Sequence, residues 1–567
     1  MIIGVLAQVL FLILIIFGFY RIFARGSHRG PGDFSIRRLF QYSLLYLSLV
    51  VVGIGASGLL GRALDSGKVI AESRTELARN LSFVIVGLPL LYFFGRWSRR
   101  SHNSDPGELD SFGWNAYLSV AITSSLITFL VGAHDLLSWA IGNENFRGSS
   151  IAQTVIWALS WYVHWRIARR SSTNTLSGIY LLIGSVIGLA LLAVGFGGLI
   201  GNSLELLLNY KDKLTVIERT NPLVNSAINI LLGAPVWYLY WLKSARKISK
   251  DLLWSVYVLL IGVASSFITM VVSASVVIYD LLVWFFGDAR EATFARHFFD
   301  SATALGSALI SLGIWSYHRI VLAVREAPES RQKNELHRVY EYLISGISLI
   351  AAALGILMII VAAVESVTPG EISVGESGAN SILLAITLLI VGAPIWWYHW
   401  HRIEQRTSSV DGERESPTRR IYILMLFGVA GVAAIGSVIT GVFLFLEDLL
   451  NGELALETLR SSRFAIGILV TNAAISGYHW SIYRLEREIP IHRVQKGKKI
   501  TLVGPADSNL LPNLKSQIKG DLELLIAKDG NLSWNVNDLV AVIKGSEALE
   551  LLIINEKKGL RAIEIQR

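Results

Sequence analysis

The stretch Gly392–Arg402, GAPIWWYHWHR, ends a long apolar run and holds three Trp and two His within six residues. Trp396, His399 and Trp400 are spaced i, i+3 and i+4, so they share one face of a helix. The stretch can be interpreted as a ligand site or as the end of a transmembrane helix. The second interpretation follows because Trp and Tyr favour the membrane–water boundary, and basic residues just beyond them reach the headgroups.

Similar aromatic endings recur along the chain at a nearly fixed period. Aligned on His399, the equivalent positions are Phe94, His164, Tyr240, His318 and His479, and successive positions are 70 to 81 residues apart. A period of this length indicates tandem units. Each unit contains two apolar runs long enough to cross a bilayer. The six units therefore predict six helical hairpins.

A second, longer period groups the units in pairs. Odd-numbered units carry a proline five residues before the aligned position, whereas even-numbered units carry Asp-Leu-Leu after their first helix. The prolines are Pro89, Pro235 and Pro394. A proline inside a helix removes a hydrogen bond and predicts a kink. The pattern predicts three four-helix modules, at residues 36–170, 171–326 and 335–488.

The composition is that of a membrane protein. Only 17% of the 567 residues are charged, and the mean hydropathy is +0.51, whereas soluble domains contain about 25% charged residues. Residues 1–25 contain an apolar run without a basic n-region or a small-residue cleavage site, so they predict a retained transmembrane anchor. With six hairpins, the anchor gives an all-α polytopic membrane protein of about 13 transmembrane helices.

After residue 488 the long apolar runs end. The segments KITLV and DLELLIA and a hairpin about Glu556–Gly559 predict strands, and a helix is predicted to begin at Ser508. Residues 489–567 are therefore predicted to form a small α/β domain. Lys and Arg concentrate after the aromatic endings, so those ends and the C-terminal domain should be cytoplasmic and the N-terminus outside. We expect a multi-pass protein of the bacterial cytoplasmic membrane.

The residue types exclude several chemistries. The chain has no cysteine, which excludes disulfides, cysteine-ligated metals and thiol catalysis. It has no catalytic or nucleotide-binding motif and no His pair with metal-site spacing. We predict a protein without enzymatic activity, with no metal and no resident cofactor. The net charge of +8 is attributed to cytoplasmic loops and not to nucleic-acid binding. Membrane lipids and a protein that contacts the C-terminal domain are the expected partners, and the oligomeric state stays open.

One set of side chains forms a candidate site at the predicted cytoplasmic helix ends. It comprises the aligned histidines and the tryptophans one position later, His164, His318, His399, His479, Trp165, Trp241, Trp400 and Trp480. The first interpretation is an aromatic belt with hydrogen bonds between helices. The second is a ring of histidines around one cavity, which would bind a headgroup, haem or a metal, or relay protons.

Two pairs of segments resemble an uncharacterised bacterial family of multi-pass membrane proteins. They are IYLLIGSVIGLALLAVG with GAPVWYLYW, and IYILMLFGVAGVAAIG with the later GYHW. This family is a domain of unknown function with a Tyr at the start of one helix and an aromatic-His-Trp ending on another. The resemblance covers Ile36–Glu488, and Phe94, Tyr240 and Arg319 depart from it. It implies tandem membrane hairpins and supplies no catalytic residue.

Three functions are compatible with this organisation. The first hypothesis is a non-enzymatic membrane scaffold or complex subunit, because packing glycines, aromatic ends and basic flanks occur without ionisable residues in the apolar centres. The second is a transporter or channel with a path between the three modules, lined by equivalent positions of each. The third is a haem- or lipid-binding membrane protein that uses the repeated histidines.

Overall fold

The described residues of the chain, in a computed structural model, are 36–65, 74–171, 178–208, 221–247, 252–289, 293–323, 331–368, 378–409, 416–488 and, with gaps, 498–565. The chain divides into two compact units, with the division after Trp480. The anchor predicted at residues 1–25 lies outside the described residues. Each unit is described by itself below.

Twelve long helices make up the described part of the chain before residue 489. They are α1 (Ile36–Leu64), α2 (Arg74–Ser104), α3 (Phe112–Ala140), α4 (Gly148–Ser171), α5 (Ile179–Leu208), α6 (Pro222–Lys247), α7 (Leu253–Phe286), α8 (Phe299–Ala323), α9 (Arg331–Val367), α10 (Gly378–Ser409), α11 (Pro417–Asn451) and α12 (Arg463–Glu488). Two of them contain π-helical turns, Tyr238–Leu242 in α6 and Tyr257–Ser265 in α7. Short helices, Phe294–His297 and Leu456–Ser461, precede α8 and α12.

Ten of these helices are long and apolar enough to cross a membrane. The other two, α4 and α12, have 24 and 26 residues and are more polar. The protein is therefore a multi-pass, largely α-helical membrane protein. The total of about 13 spans stays a prediction, because the anchor is not described and two helices fall below this level of apolarity.

The first eight helices pack in two groups of four, and α9 to α12, which follow them in the chain, are taken as the third group. In the first group α1 packs against α2 and α4, and α3 packs against α4; in the second, α5 packs against α6 and α8, and α7 against α8. In the third group α9 packs against α10 along most of its length and also contacts α11. We call these groups modules 1, 2 and 3. The end of each helix pair at which the residue aligned with His399 lies is called the aromatic end.

Neighbouring modules are joined in chain order. The third helix of one module packs against the first two helices of the next, α3 against α5 and α6, and α7 against α9 and α10. Side-chain amides tie these junctions at the end opposite the aromatic end. Asn143 contacts the start of α6 through the Asn221 backbone nitrogen, at 2.5 Å, and the Asn225 side chain, at 2.9 Å. Asn380 at the start of α10 exchanges two hydrogen bonds of 3.0 Å with the Asp288 backbone.

A glycine lies two residues before each proline and allows the two helices of the hairpin to cross closely. A Cβ atom on Gly392 would stand 2.5 Å from the backbone nitrogen of Ala352 in α9. A Cβ atom on Gly233 or on Gly87 would stand 2.8 Å from a side-chain atom of the first helix of its hairpin. Such distances are below van der Waals contact, so only glycine fits.

The three prolines lie inside helices α2, α6 and α10. Pro235 is followed three residues later by the π-helical turn of α6, which is where the regular hydrogen-bond ladder changes. The predicted kinks stay a prediction for all three positions.

The C-terminal unit contains a four-stranded sheet in the order β2-β1-β3-β4. The strands are β1 (Lys498–Gly504), β2 (Gly520–Ile526), β3 (Glu550–Glu556) and β4 (Gly559–Ile565), and α13 (Val536–Gly545) precedes β3. β1 is parallel to β2 and β3, whereas β3 and β4 form the expected antiparallel hairpin. Gly559 has a φ of 117°, which side-chain-bearing residues rarely adopt. The helix predicted from Ser508 lies mostly outside the described residues, and α13 was not predicted.

We expect Gly392→Ala to destabilise the α9–α10 hairpin, because its new Cβ would overlap the α9 backbone. Overpacking of this kind costs about 1–3 kcal/mol. Thermal unfolding in detergent, followed by Trp fluorescence, measures the loss. The matched control is Gly428→Ala in α11, where a Cβ meets nothing within 4 Å, so helix propensity should keep or slightly raise the stability. Equal melting temperatures for the two variants would contradict the close crossing.

Candidate functional site

At the aromatic end, each aligned histidine faces a tyrosine on the first helix of its own hairpin. The ring pairs and their centroid distances are Tyr117/His164 at 5.6 Å, Tyr257/His318 at 6.1 Å, Tyr340/His399 at 6.1 Å and Tyr422/His479 at 6.1 Å. All four histidines are buried. The aligned position is therefore occupied by a ring that fixes the two helices of a hairpin against each other.

The three histidines of the even-numbered units share one orientation. In each, Nδ1 lies 2.7 to 2.9 Å from the backbone carbonyl four residues earlier. A carbonyl only accepts, so Nδ1 carries the hydrogen and Nε2 keeps a lone pair. On His164 this lone pair accepts from the Tyr117 hydroxyl at 2.8 Å. On His318 and His479, Nε2 is buried and has no partner in the part of the chain that the structure describes.

His399, the histidine of the opening stretch, has a different partner. Its Nδ1 lies 2.5 Å from a carboxylate oxygen of Glu341, whose side chain is almost fully buried. The equivalent hairpin of module 2 has Leu181 and Tyr240 at these two places. Sequence reasoning missed Glu341. The signal was an acid directly after the first-helix Tyr in unit five, the one odd-numbered unit with an aligned His.

The tryptophans one position later make hydrogen bonds between helices in modules 2 and 3. The indole nitrogen of Trp241 donates to the Tyr317 hydroxyl at 2.9 Å, and that of Trp400 donates to the Tyr478 hydroxyl at 2.7 Å. In both cases the bond joins the second helix of the module to the fourth. Trp241 and Trp400 are buried, whereas Trp480 is 50% exposed and packs against Phe427.

Module 1 is joined to module 2 by rings at the aromatic end. Trp161 donates to the Tyr240 hydroxyl at 2.7 Å. Trp165 stands with its ring centroid 4.5 Å from that of Tyr240 and 5.7 Å from that of Tyr180. Seven of the eight predicted site residues are thus buried, and Trp480 is the exception. The structure pairs each histidine with the tyrosine of its own hairpin.

A cavity of about 630 Å³ opens in module 1, and all the residues that line it belong to α1, α2, α3, α4 and the turn before α3. Most of its wall is apolar and includes Leu45, Leu49, Leu91 and Leu159. Of the eight residues of the candidate site predicted from the sequence, His164 alone lines this cavity.

The cavity exists because module 1 lacks a tryptophan that the other modules have. The position of Trp241 and Trp400 is Gly95 in α2. Gly95 lines the cavity, and a Cβ on it would meet nothing within 4 Å. Modules 2 and 3 have an indole at this position, whereas module 1 has no side chain there.

Polar groups line the aromatic end of the cavity. Arg99 and His102 come from α2, and Trp114 and Tyr117 from α3. The Trp114 indole nitrogen is buried and has no hydrogen-bond partner within the described ranges. Since Tyr117 and His164 satisfy each other, the donors of Arg99 and Trp114 and the Ser98 hydroxyl, which also lines the cavity without a partner among the described residues, are available to a ligand here.

A buried carboxylate fixes this wall. The Glu108 side chain is fully buried and accepts from Arg38 Nε at 2.8 Å and from the Tyr42 hydroxyl at 3.1 Å. The same hydroxyl lies 3.2 Å from His102 Nε2. Sequence reasoning missed this cluster, because its members lie on basic flanks that resemble ordinary loop charges.

Three successive segments of the chain, 38–163, 178–317 and 338–474, match one protein family, described as a domain of unknown function (DUF5671). The chain belongs to the DUF5671 family. The tandem repeats and the resemblance to an uncharacterised family are thereby confirmed. No curated protein and no solved structure matches this DUF5671 protein. The predicted module boundaries and site residues stay predictions.

We expect Glu341→Leu to destabilise this DUF5671 protein, because it leaves the buried His399 without its carboxylate partner. The cost of such an unpaired group is about 1–3 kcal/mol. The double variant Glu341→Leu/His399→Tyr copies the pair found in module 2 and should recover most of the loss. Its tyrosine would offer an acceptor to the Trp315 indole nitrogen, which is buried without a partner among the described residues and is equivalent to Trp161.

Chemical unfolding in detergent compares the parent, both single variants and the double variant. The control is His401→Tyr on the same helix, where the histidine is exposed, and it should leave the unfolding midpoint unchanged. A double variant less stable than either single variant would show that the two positions are not coupled as described.

Proposed function

We propose that this DUF5671 protein is a non-enzymatic membrane scaffold whose first module binds an anionic, amphipathic lipid. The observation that carries the proposal is the cavity of module 1, with an apolar wall and hydrogen-bond donors at one end. Its volume of about 630 Å³ lies within the roughly 300–1,000 Å³ usual for small-molecule pockets.

The division of the cavity into an apolar and a polar part fits a lipid. An acyl chain would lie against Leu45, Leu49 and Leu91 and would gain from the removal of apolar surface. At the aromatic end, the Arg99 guanidinium and the Trp114 N–H are donors without acceptor capacity. Donors of this kind suit the oxygens of a phosphate headgroup.

Access from the bilayer would pass between α2 and α4. Both helices contribute side chains to the cavity wall, and both pack against α1. In the most apolar stretch of α2 only 11% of the residues are buried in the protein, so part of the surface of this helix would be open to lipid. A lipid could then bind from the side without crossing the bundle.

The proposed orientation places the headgroup in the cytoplasmic leaflet. Arg96, Arg99 and Arg100 follow the apolar part of α2 and belong to the basic flanks predicted to be cytoplasmic. The cytoplasmic leaflet holds the anionic lipids that such flanks attract. We further propose the bacterial cytoplasmic membrane, with the N-terminus outside and the C-terminal α/β domain available to a cytoplasmic partner.

Lipid binding is favoured over the transport and haem alternatives by the lining of the cavity. A path between modules would need lining positions from each of them, whereas this cavity is lined by one module. Haem would need a histidine nitrogen free to bind iron. In the cavity wall, His164 Nε2 accepts from Tyr117 and His102 Nε2 lies at the Tyr42 hydroxyl, so these residues do not fit it.

The test measures binding of phosphatidylglycerol with a fluorescent acyl chain to the purified protein in detergent. Gly95→Trp should abolish most of the binding, because the indole fills the cavity as it does in the other modules. Arg99→Gln should weaken binding about fivefold, since one basic residue near a headgroup contributes about 1 kcal/mol.

Matched controls separate the cavity from the general surface. Gly313→Trp places the same side chain where a Cβ meets nothing within 4 Å but outside the cavity, and Arg100→Gln removes the neighbouring exposed charge. Both should bind like the parent. Unchanged binding in Gly95→Trp, or equal affinity for a zwitterionic phosphatidylcholine probe, would refute the proposal.

A further inference from the structure

The two ends of the array expose helices that are covered at the internal junctions. In α3 and α7, the third helices of modules 1 and 2, 67% and 56% of the most apolar stretch is buried, and each packs against the next module. In α11, the third helix of module 3, the buried share is 11%. Among the described residues, no helix of a further module packs against it.

The opposite end of the array shows the complementary difference. The second helices α6 and α10, which receive the third helix of the preceding module, are each 28% buried over the same kind of stretch, whereas α2 is 11% buried. The two least buried of the ten apolar helices are thus α2, the second helix of the first module, and α11, the third helix of the last. In repeat proteins each unit is stabilised by contact with its neighbours.

The loop that positions Asn143 at the first junction has a counterpart at the C-terminal end of α11. At the first junction Asn143 follows Gly142, whose φ is 79°, and its N–H bonds the carbonyl five residues earlier at 2.8 Å. After α11, Gly452 has a φ of 73°, and the N–H of Glu453 makes the same bond at 2.9 Å. Glu453 thus occupies the position of Asn143, and it is exposed.

The start of α2 offers the matching backbone N–H donor. Asn143 binds the backbone nitrogen of Asn221, which lies 19 residues before the aligned position of its unit. The residue at that place in the first unit is Thr75, directly after Arg74, and both are exposed. A carboxylate at a helix N-terminus is favoured by the unpaired N–H groups and by the helix dipole. Arg74 adds a positive charge at the same place.

We propose that copies of this chain assemble head to tail in the membrane, with α11 and Glu453 of one copy against α1, α2 and the Arg74–Thr75 helix start of the next. The interface continues the junctions that join modules 1 to 2 and 2 to 3. It is heterologous, because different surfaces of the two copies meet. Assembly of this kind gives closed rings or open chains and not a twofold dimer.

Crosslinking tests the pairing directly, because the natural chain has no cysteine. Thr75→Cys and Glu453→Cys are introduced into two differently tagged copies, which are expressed together and oxidised in membranes. We expect a disulfide between the two tags, since a Cβ–Cβ distance near 4 Å is needed for it. The control pairs Thr75→Cys with Glu144→Cys, a residue at the already occupied first junction, and should give no crosslink.

Charge exchange provides a second test that does not depend on crosslinking. Native mass spectrometry should show oligomers for the parent and a several-fold lower oligomer fraction for Arg74→Glu or Glu453→Arg. The double variant Arg74→Glu/Glu453→Arg should restore the oligomers. Arg100→Glu, at the other end of α2, serves as the control and should assemble like the parent.

Two outcomes would overturn the proposal. Crosslinks between two Thr75→Cys copies or between two Glu453→Cys copies, without the mixed product, would show a twofold interface. A monomer that crosslinks in no combination would leave these helix faces to lipid or to residues 1–35. Lipid binding by the cavity of module 1 is measured on the same samples and does not depend on either result.

Discussion

Four of the six hairpins share one contact, the histidine at the aligned position of the second helix against a tyrosine of the first. These rings carry polar atoms and are buried between apolar helices, where an unpaired donor or acceptor costs free energy. Tyr117 and His164 meet this requirement within one hairpin. Trp161 and Tyr240 meet it between modules. The pairing of polar ring atoms thus sets the register of helices within a module and the contact of one module with the next.

Variation at single positions on this repeated frame gives the modules different properties. A buried tryptophan follows the aligned residue in the second helix of modules 2 and 3, whereas module 1 has Gly95 there, and Gly95 lines its cavity. In unit five, His399 replaces the Phe or Tyr of the other odd-numbered units, and Glu341 provides its partner. The opening stretch holds its own buried His–Glu pair, and the cavity lies in a module whose sequence looked less distinctive.

Much of the architecture was predictable from periodicity. The tandem helices and the β3–β4 hairpin follow from hydrophobic runs, recurring residues and turn signals that each lie within a short segment. The layout in three four-helix modules stays a prediction. The helix α13 and the π-helical turns of α6 and α7 did not follow, because their signals are short or absent in a single segment. Glu108 and Glu341 were missed because an acid just before an apolar run has the same appearance in sequence whether solvent or protein surrounds it.

The sequence by itself determined the repeat, the helical class, the membrane character and the residue types at the aromatic ends, because these are properties of segments and of their spacing. The tertiary structure alone decided which rings pair, where a cavity remains and which helix faces stay uncovered. The physical reason is distance along the chain. Tyr117 and His164 are 47 residues apart, and Trp161 and Tyr240 are 79 apart, so their burial and hydrogen bonding depend on how separate helices cross.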